Sequence, residues 1–452
     1  MLRKPPNWRK GLTEDLFKKA LASDELRDLV KHAEKDYVYW DPFLHYKMPE
    51  GFTPEEAWSY LKFTRQISTE STPITSKESK HFSISVTKGM YKKLSFIDSN
   101  TSGFLTSNID KPTNTQRNQL IMSGLTEEAI ASSQIEGANT SRKVAKEMLL
   151  TNRKARTRDE QMIINNYQVM QRLLDWKDLE LSKNMLIDIQ KNITAGTLDD
   201  EKDTGRFRID EDNIGVIDRL TGETVFTPPT AEFVSKELDK LIEYANTPDS
   251  ENDFVHPVIK ASLLHFWLAY LHPFVDGNGR TARAIFYWYL LRNNYWMFQY
   301  LSVSRVIKRS KKQYDNAYLY SEYDDNDLTY FIHYKLRAIV LSIKDFVEHY
   351  ERKLAKEKVI QKIVGQLGEY NERQIDLLQD LNLDKDKTVD LSYYKGHYRI
   401  SYETARTDLT HLTEKHLLDK IISGKKYIYV PNTVEIKKLL NEAPEIKNLN
   451  KE

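Results

Sequence analysis

Between Leu271 and Arg292 the chain reads LHPFVDGNGRTARAIFYWYLLR, which places a histidine, a carboxylate, a Gly-Asn-Gly triplet and two arginines close together. Pro273 biases His272 away from helical backbone angles, so the apolar helix before it is expected to end there. The two glycines of the triplet admit backbone conformations closed to other residues. From Arg280 the spacing of Ala284, Ile285, Trp288 and Leu291 is helical again. A glycine-rich loop that opens a helix turns free backbone N–H groups outward where the helix dipole favours negative charge, a cradle suited to phosphates. Arg280 and Arg283, one turn apart, fall on roughly one helix face, and two arginines over an anion cradle imply a polyphosphate. Asp276 at the mouth of the loop is placed to hold a hard cation such as Mg2+ through oxygen. His272, with an unperturbed pKa of about 6.5, is largely neutral at cellular pH and can take a proton from an incoming hydroxyl. Together these residues point to phosphoryl or nucleotidyl transfer.

The elements that must position this stretch are mostly helices. Apolar residues recur at three- and four-residue steps from about residue 115 to 352, in segments such as EEAIASSQIEG, DEQMIINNYQVMQRLLDW, SKNMLIDIQKNI and VIKASLLHFWLAYLH, which predicts a helical bundle. One interruption, IDEDNIGVIDRLTGETVFTPP from Ile209 to Pro229, carries two short β-like runs around Thr221-Gly222 and predicts a β-hairpin. Residues 1–110 are less regular. FTPEEAWSYLKFTRQI is a helix by its spacing, and ESTPITSKESKHFSISVTKG is a polar loop followed by a short β-like run, so this part is expected to be an N-terminal helical extension. Residues 353–370 are charged and helical, and beyond them the order helix, helix, basic turn and short strand predicts a winged helix-turn-helix of about 80 residues within 353–452.

Composition narrows the class. With 67 Lys+Arg against 66 Asp+Glu the formal net charge is +1, so no overall field draws the chain to nucleic acid or anionic lipid. Zero cysteines exclude disulfides and thiolate metal sites. The start, MLRKPPNWRKGL, has no apolar run behind its basic residues, and no apolar stretch approaches the roughly 20 residues that span a bilayer. A cytoplasmic protein with no membrane association is expected.

The stretch from His272 to Arg283 resembles the Fic-domain signature His-Pro-Phe-x-Asp-Gly-Asn-Gly-Arg-x-x-Arg, with every specified position filled. The resemblance runs from about Lys111 to Tyr350, through GRFR at Gly205 to Arg208 and the NIG and TPP of the hairpin, and gives the core bounds 111–352. It implies an α-helical Fic core with a hairpin flap, binding ATP and Mg2+ and moving AMP onto a Ser, Thr or Tyr hydroxyl of a protein target or of the chain itself. By the resemblance, His272 is the general base, Asp276 holds Mg2+, and Gly277, Asn278, Gly279 and Arg280 cradle the phosphates. Arg283 takes the γ-phosphate, and Tyr314 lines the adenine site. The flap residues Ile214, Gly215, Val216, Val225 and Phe226 pair with an extended stretch of the target by strand addition. Doc-like kinases carry Lys where this chain has Gly279, which argues against that activity; phosphocholine transfer and removal of AMP use similar motifs and stay open.

Upstream, SSQIEGAN places Ser132 and Glu136 one turn apart at the end of a helix. Read locally this is a helix C-terminus with a glycine cap. The resemblance adds that Ser-x-x-x-Glu-Gly is the inhibitory-helix pattern of Fic proteins, in which Glu136 would pair with Arg283 and take the place of the γ-phosphate. Glu136→Gly is then expected to activate and His272→Ala to silence. In the C-terminal region, Ser401 is the expected N-cap of a recognition helix, and Arg399, Arg406, His411, Lys415, Lys425 and Lys426 can face phosphates, against interleaved Glu403, Asp408, Glu414 and Asp419. Two function classes stand: an autoinhibited protein adenylyltransferase with an accessory winged helix that serves protein contacts or a homodimer, and a DNA-binding regulator whose core senses nucleotide.

Overall fold

A computed structural model describes residues 2–101, 114–217, 222, 224–248, 250, 253–383, 388–423 and 426–441. The chain divides into two compact units. Unit 1 holds residues 1–140 and 156–344, and unit 2 holds 141–155 and 345–452.

Unit 1 begins with helices α1 (Trp8–Gly11), α2 (Glu14–Ala22), α3 (Asp24–Lys35), α4 (Trp40–Phe43) and α5 (Pro54–Gln66). Thr53 starts α5 with a capping box, its side chain accepting from the Glu56 amide while Glu56 reaches back to the Thr53 amide. The polar stretch after α5 differs from the expected loop: Glu70–Thr75 is strand β1, paired antiparallel with β2 (His81–Ile84). Thr72, Ile74, Phe82 and Ile84 alternate into the interior, a period-two pattern hidden by the Ser and Thr residues between them. α6 (Lys88–Thr101) follows. The N-terminal helices are pinned to the later part of the unit by buried ion pairs, with Lys62 Nζ 2.8 Å from Asp324 and 3.3 Å from Asp327, and with the Tyr37 hydroxyl donating to Asp327 at 2.7 Å.

The helical bundle comprises α7 (Asn114–Ile135), then, past the segment belonging to unit 2, α9 (Arg158–Trp176) and α10 (Lys183–Thr194), and later α11 (Ala231–Asn246), α12 (Pro257–Leu271), α13 (Asn278–Arg292), α14 (Val303–Arg309) and α15 (Lys311–Tyr323). α12 is apolar around nearly its whole circumference, and a helix with no polar face must be enclosed on all sides; α13, which carries Arg280 and Arg283, is likewise buried along nearly its whole length. They pack on each other at the centre, where Phe266, Trp267, Phe274, Trp288 and Leu290 are fully buried. Between α10 and α11 lie β3 (Val216–Ile217) and β4 (Thr224–Phe226), antiparallel with Val216 opposite Phe226.

Unit 2 holds α8 (Arg142–Leu150), the later part of α16 (Thr329–Leu367), α17 (Glu372–Leu383), β5 (Val389–Asp390), α18 (Leu391–Tyr398), α19 (Tyr402–Glu414), β6 (Leu418–Ser423), β7 (Lys426–Pro431) and α20 (Thr433–Asn441). The strands form an antiparallel sheet in the order β5-β7-β6. Its core gathers Ile375, Leu378, Leu381, Tyr394, Leu409, Leu412 and Tyr429. Ser401 caps α19, accepting from the Thr404 amide at 3.0 Å.

Candidate active site

α12 ends at Leu271, and His272 takes the left-handed conformation (φ 50°) as its cap, its amide donating to Leu268 O. This turn is what aims the imidazole. Nδ1 lies 3.1 Å from Ala269 O, and a carbonyl can only accept, so Nδ1 carries the hydrogen and Nε2 keeps its lone pair. Burial pushes the imidazole below the ordinary histidine range, so it is neutral at neutral pH. A neutral ring with its free lone pair at Nε2 is a proton acceptor.

The loop behind it is braced from within. Asn278 closes it with two hydrogen bonds, accepting from the Phe274 amide at 2.9 Å and donating to Phe274 O at 2.7 Å. Gly277 (φ 86°) occupies the left-handed region as N-cap of α13, and a Cβ there would press on Thr194 at 3.0 Å. α13 therefore starts at Asn278, two residues earlier than its apolar spacing implies. Asp276 is half-exposed; its Oδ1 accepts from the Gly277 amide at 2.6 Å and its two oxygens lie 3.4 and 3.3 Å from Arg280. A carboxylate tethered on one side and open on the other fits a hard divalent cation.

The two arginines of the motif do not share a face. Arg280 is buried beneath the loop, donating to Ile193 O at 3.0 Å and reaching Asp276, with its Nε lacking a hydrogen-bond acceptor. Arg283 turns toward α7. Its Nε donates to Ser132 Oγ at 2.8 Å, and Nη2 donates to Ser132 O at 3.0 Å and to Glu136 Oε1 at 2.7 Å. Burial alone would raise the Glu136 carboxyl, but the adjoining Arg283 guanidinium outweighs it and holds the pKa below the usual value. Gly279, one turn before Arg283, faces the same carboxylate: a Cβ there would lie 2.2 Å from Glu136 Oε1. Gly279 is thus helical, and its missing side chain is the space that Glu136 occupies.

Residues outside the motif hold it in place. Arg208 donates through Nε to His272 O at 2.7 Å and through Nη2 to Pro229 O at 2.5 Å, and its amide donates to Pro273 O at 2.9 Å, tying the His272 turn to the foot of the hairpin. Phe207 stacks on Phe274. Gln190 on α10 donates to Asp276 O at 3.3 Å and accepts from the Gly205 amide at 2.8 Å. Glu128, one turn before Ser132, is buried and accepts from Tyr287 Oη at 2.8 Å, the Ser304 amide at 3.0 Å, Ser302 Oγ at 3.1 Å and Ser304 Oγ, which anchors α7 against α13 and α14. Gln190 has no signal in the sequence. Glu128 has one, since Glu128, Ser132 and Glu136 recur every four residues on one face of a helix.

In the hairpin, Val225 and Gly215 are exposed while Ile214, Val216 and Phe226 are half-buried. Phe226 packs on Tyr270, their ring centroids 5.5 Å apart. Thr221 of the expected turn lies outside the described residues. Tyr314 is buried, its hydroxyl 2.9 Å from His265 Nε2 and 3.1 Å from Tyr318 Oη. His265 Nδ1 accepts from Lys335 Nζ at 3.1 Å, and the lysine lies 3.7 Å from the centroid of the Phe286 ring. Both His265 and Lys335 are fully buried, and burial draws the Lys335 pKa down to about 7. In unit 2, two of the cations expected to face phosphates are engaged internally, Lys415 with Glu369 and His411 with Gln374. Asp408 accepts from Asn371 and Arg373. Lys425 is outside the described residues. Among the described residues no helix is long and apolar enough to cross a membrane.

Residues 180–290 match the family described as Fic/DOC. The protein adenylyltransferase fic-1 of Caenorhabditis elegans is 27% identical over 123 residues, 27% of this chain and 22% of that protein. The protein adenylyltransferase Fic of Nematostella vectensis is 29% identical over 120 residues, 26% of each. The match thus spans about a quarter of these curated relatives. A solved structure of Fic-1 from C. elegans aligns with a TM-score of 0.50 at 17% identity, covering 73% of this chain and 86% of that one, a likeness of fold.

Proposed function

With a Fic domain in the chain, we propose that this protein transfers AMP from ATP to a hydroxyl of a protein target and that Glu136 holds the reaction in check. The observation that carries the reading is the convergence, at the junction of α12 and α13, of a neutral imidazole with a free Nε2, a half-open Asp276 carboxylate and the amide end of a helix. The names of the curated relatives support the choice of AMP as the group moved.

In this reading the hydroxyl oxygen of the target forms a bond to the α-phosphorus while the bond from that phosphorus to the α,β-bridging oxygen breaks, and pyrophosphate leaves. His272 Nε2 takes the hydroxyl proton. The amides at the start of α13 meet the growing charge on the phosphate oxygens, where oriented backbone dipoles are most effective. Asp276 would hold Mg2+, which supplies charge neutralisation along the triphosphate. Asn278 serves the cradle by shaping the loop, since both ends of its amide are engaged with Phe274. The exposed rim of the β3–β4 hairpin offers backbone groups to an extended target segment, with Val225 beside them.

Arg283 is where substrate and inhibitor compete. While Glu136 occupies it, a γ-phosphate has no counter-charge there, and ATP is held out of the productive pose. The test is incubation of the purified chain with Mg2+ and ATP carrying label on either the α- or the γ-phosphate, followed by intact-mass and gel analysis. Label from the α-phosphate on protein, lost in His272→Ala, is expected. Label from the γ-phosphate would mean a kinase, and no label with either, even with Glu136→Ala, would sink the reading.

A further inference from the structure

The β3–β4 hairpin is too short to place itself. Its strands hold two and three residues, and the register shifts between Val216 and Ile217. A lone two-stranded hairpin is marginally stable in water and its register is weakly specified, so the contacts at its foot decide where its edges stand. Arg208 on Pro229 O is one of these. The others involve Phe226, Tyr270 and a residue 150 positions before Thr227, Lys77.

Lys77 sits in the turn between β1 and β2. The turn is closed by the Ser76 amide donating to Lys80 O and the Ser79 amide donating to Ser76 O, each at 2.8 Å. Behind it Ile74 and Phe82 are fully buried, and the Phe82 ring meets Tyr270 edge-on with centroids 5.3 Å apart. β2 is also tied to the segment before α16, the Ser83 amide donating to Asn326 O at 2.9 Å and the Leu328 amide donating to Ser83 O at 2.8 Å. From this fixed base Lys77 reaches two ways. Its amide donates to the hydroxyl of Tyr270, two residues before His272, at 2.9 Å, and its Nζ donates to the carbonyl of Thr227, the residue next to β4, at 3.3 Å. The same ammonium stands 5.7 Å from the centroid of the Phe226 ring, which packs on Tyr270. Ring packing holds β4 against α12, and the directional bond to Thr227 O limits how it can turn there. All of these residues lie in unit 1.

We propose that Lys77 is a positioning residue for the protein target: it fixes the edge of the hairpin relative to the His272 imidazole, so that a target strand laid on that edge brings its hydroxyl to Nε2. This rests on the reading of the hairpin as the target-binding flap. The bonds of Lys77 go to Tyr270 and Thr227, so its effect falls on the protein acceptor and leaves ATP binding as it is.

The test is kinetic. The full chain carrying Glu136→Ala transfers label from α-labelled ATP to increasing amounts of the His272→Ala chain, which serves as acceptor. Adding Lys77→Met to the enzyme keeps the aliphatic stem and removes the donor. KM for the acceptor should rise about two- to tenfold, the worth of one hydrogen bond, with KM for ATP unchanged and with faster hydrogen exchange at residues 224–227. Lys77→Arg, which restores a charged donor, should return both to the parent values. Where the Glu136→Ala chain labels only itself, the self-labelling rate is compared instead and should fall by the same factor. Faster exchange with acceptor kinetics at the parent level would make Lys77 a structural support alone and overturn the proposal, as would no change in either. Val225→Pro, which removes a backbone donor from β4, separates the two readings. If it leaves acceptor kinetics at the parent level, the flap reading falls and this inference with it; if it weakens them while Lys77→Met does not, the role of Lys77 alone is refuted.

Discussion

Replacing Glu136 with alanine tests the proposed restraint at its narrowest point. Arg283 is 3% exposed at its side chain and meets Glu136 Oε1 at 2.7 Å, while Glu136 itself is 32% exposed. A hydrogen bond with both partners charged contributes about 1.5–3 kcal/mol, and partial exposure of the carboxylate places this pair toward the lower end. Removing it shifts the balance between blocked and open Arg283 by roughly ten- to a hundredfold, the rise expected in the initial rate of AMP transfer at saturating ATP. Arg283 stays in place because its bonds to Ser132 Oγ and Ser132 O remain. Without Glu136 it becomes a buried cation short of its counter-charge, and with the pair partly exposed the ligand-free protein loses stability by about 1–3 kcal/mol. ATP restores that loss, since its γ-phosphate supplies the missing charge. The assay is therefore paired: label transfer from α-labelled ATP, and thermal unfolding with and without ATP and Mg2+. Increased transfer with a lowered Tm that ATP rescues is the expected pattern. A lowered Tm with transfer changed less than twofold would make Glu136 a purely structural partner of Arg283 and refute the reasoning.

Other expectations follow from the same geometry. Arg208→Ala removes the donors to His272 O and Pro229 O, so kcat should fall by about ten- to a hundredfold with little change in KM for ATP, because the turn that aims the base is freed while the phosphate cradle stays. Since burial lowers the His272 pKa and the neutral ring is the active form, the acid limb of the kcat/KM profile should lie below the usual histidine range of about 6.5; a limb at or above that value contradicts it. Lys335, drawn to about pKa 7 in the folded state from 10.5, binds fewer protons folded than unfolded between those values. Stability should therefore rise with pH from 7 to 9, by on the order of 1.4 kcal/mol per unit, and the penalty is full below pH 7. Lys335→Met should flatten that slope in chemical denaturation, and an unchanged slope would assign it to other groups.

Much of the site is legible in the chain because its chemistry is local. His272, Asp276, the glycine loop and α13 follow one another without a gap, so Pro273 and the two glycines dictate the turn wherever it is placed. The β1–β2 hairpin was less legible, because Ser and Thr occupy positions of both faces and blur the alternation of Thr72, Ile74, Phe82 and Ile84. The direction of the two arginines was not legible at all. Three residues apart, they read as one face, yet Arg280 goes under the loop to Ile193 O and Arg283 goes to Ser132 and Glu136, because α10 and α7 pack on different sides of α13. Asn278 reads as a phosphate ligand, and its amide is engaged in bracing Phe274.

By itself the sequence determined a mostly helical protein with a glycine-rich helix junction behind a histidine and a hairpin between α10 and α11. Periodicity, capping residues and turn chemistry act over a few residues, and a single chain carries them openly. Only the tertiary structure decided which side chains meet across long separations: that Gly279 makes room for Glu136, that Arg208 and Gln190 brace the loop, that Glu128 fixes α7, and that the segment just after Glu136 packs with α18 in unit 2. Those pairings depend on how apolar faces close over one another, and that is a property of the whole packed core.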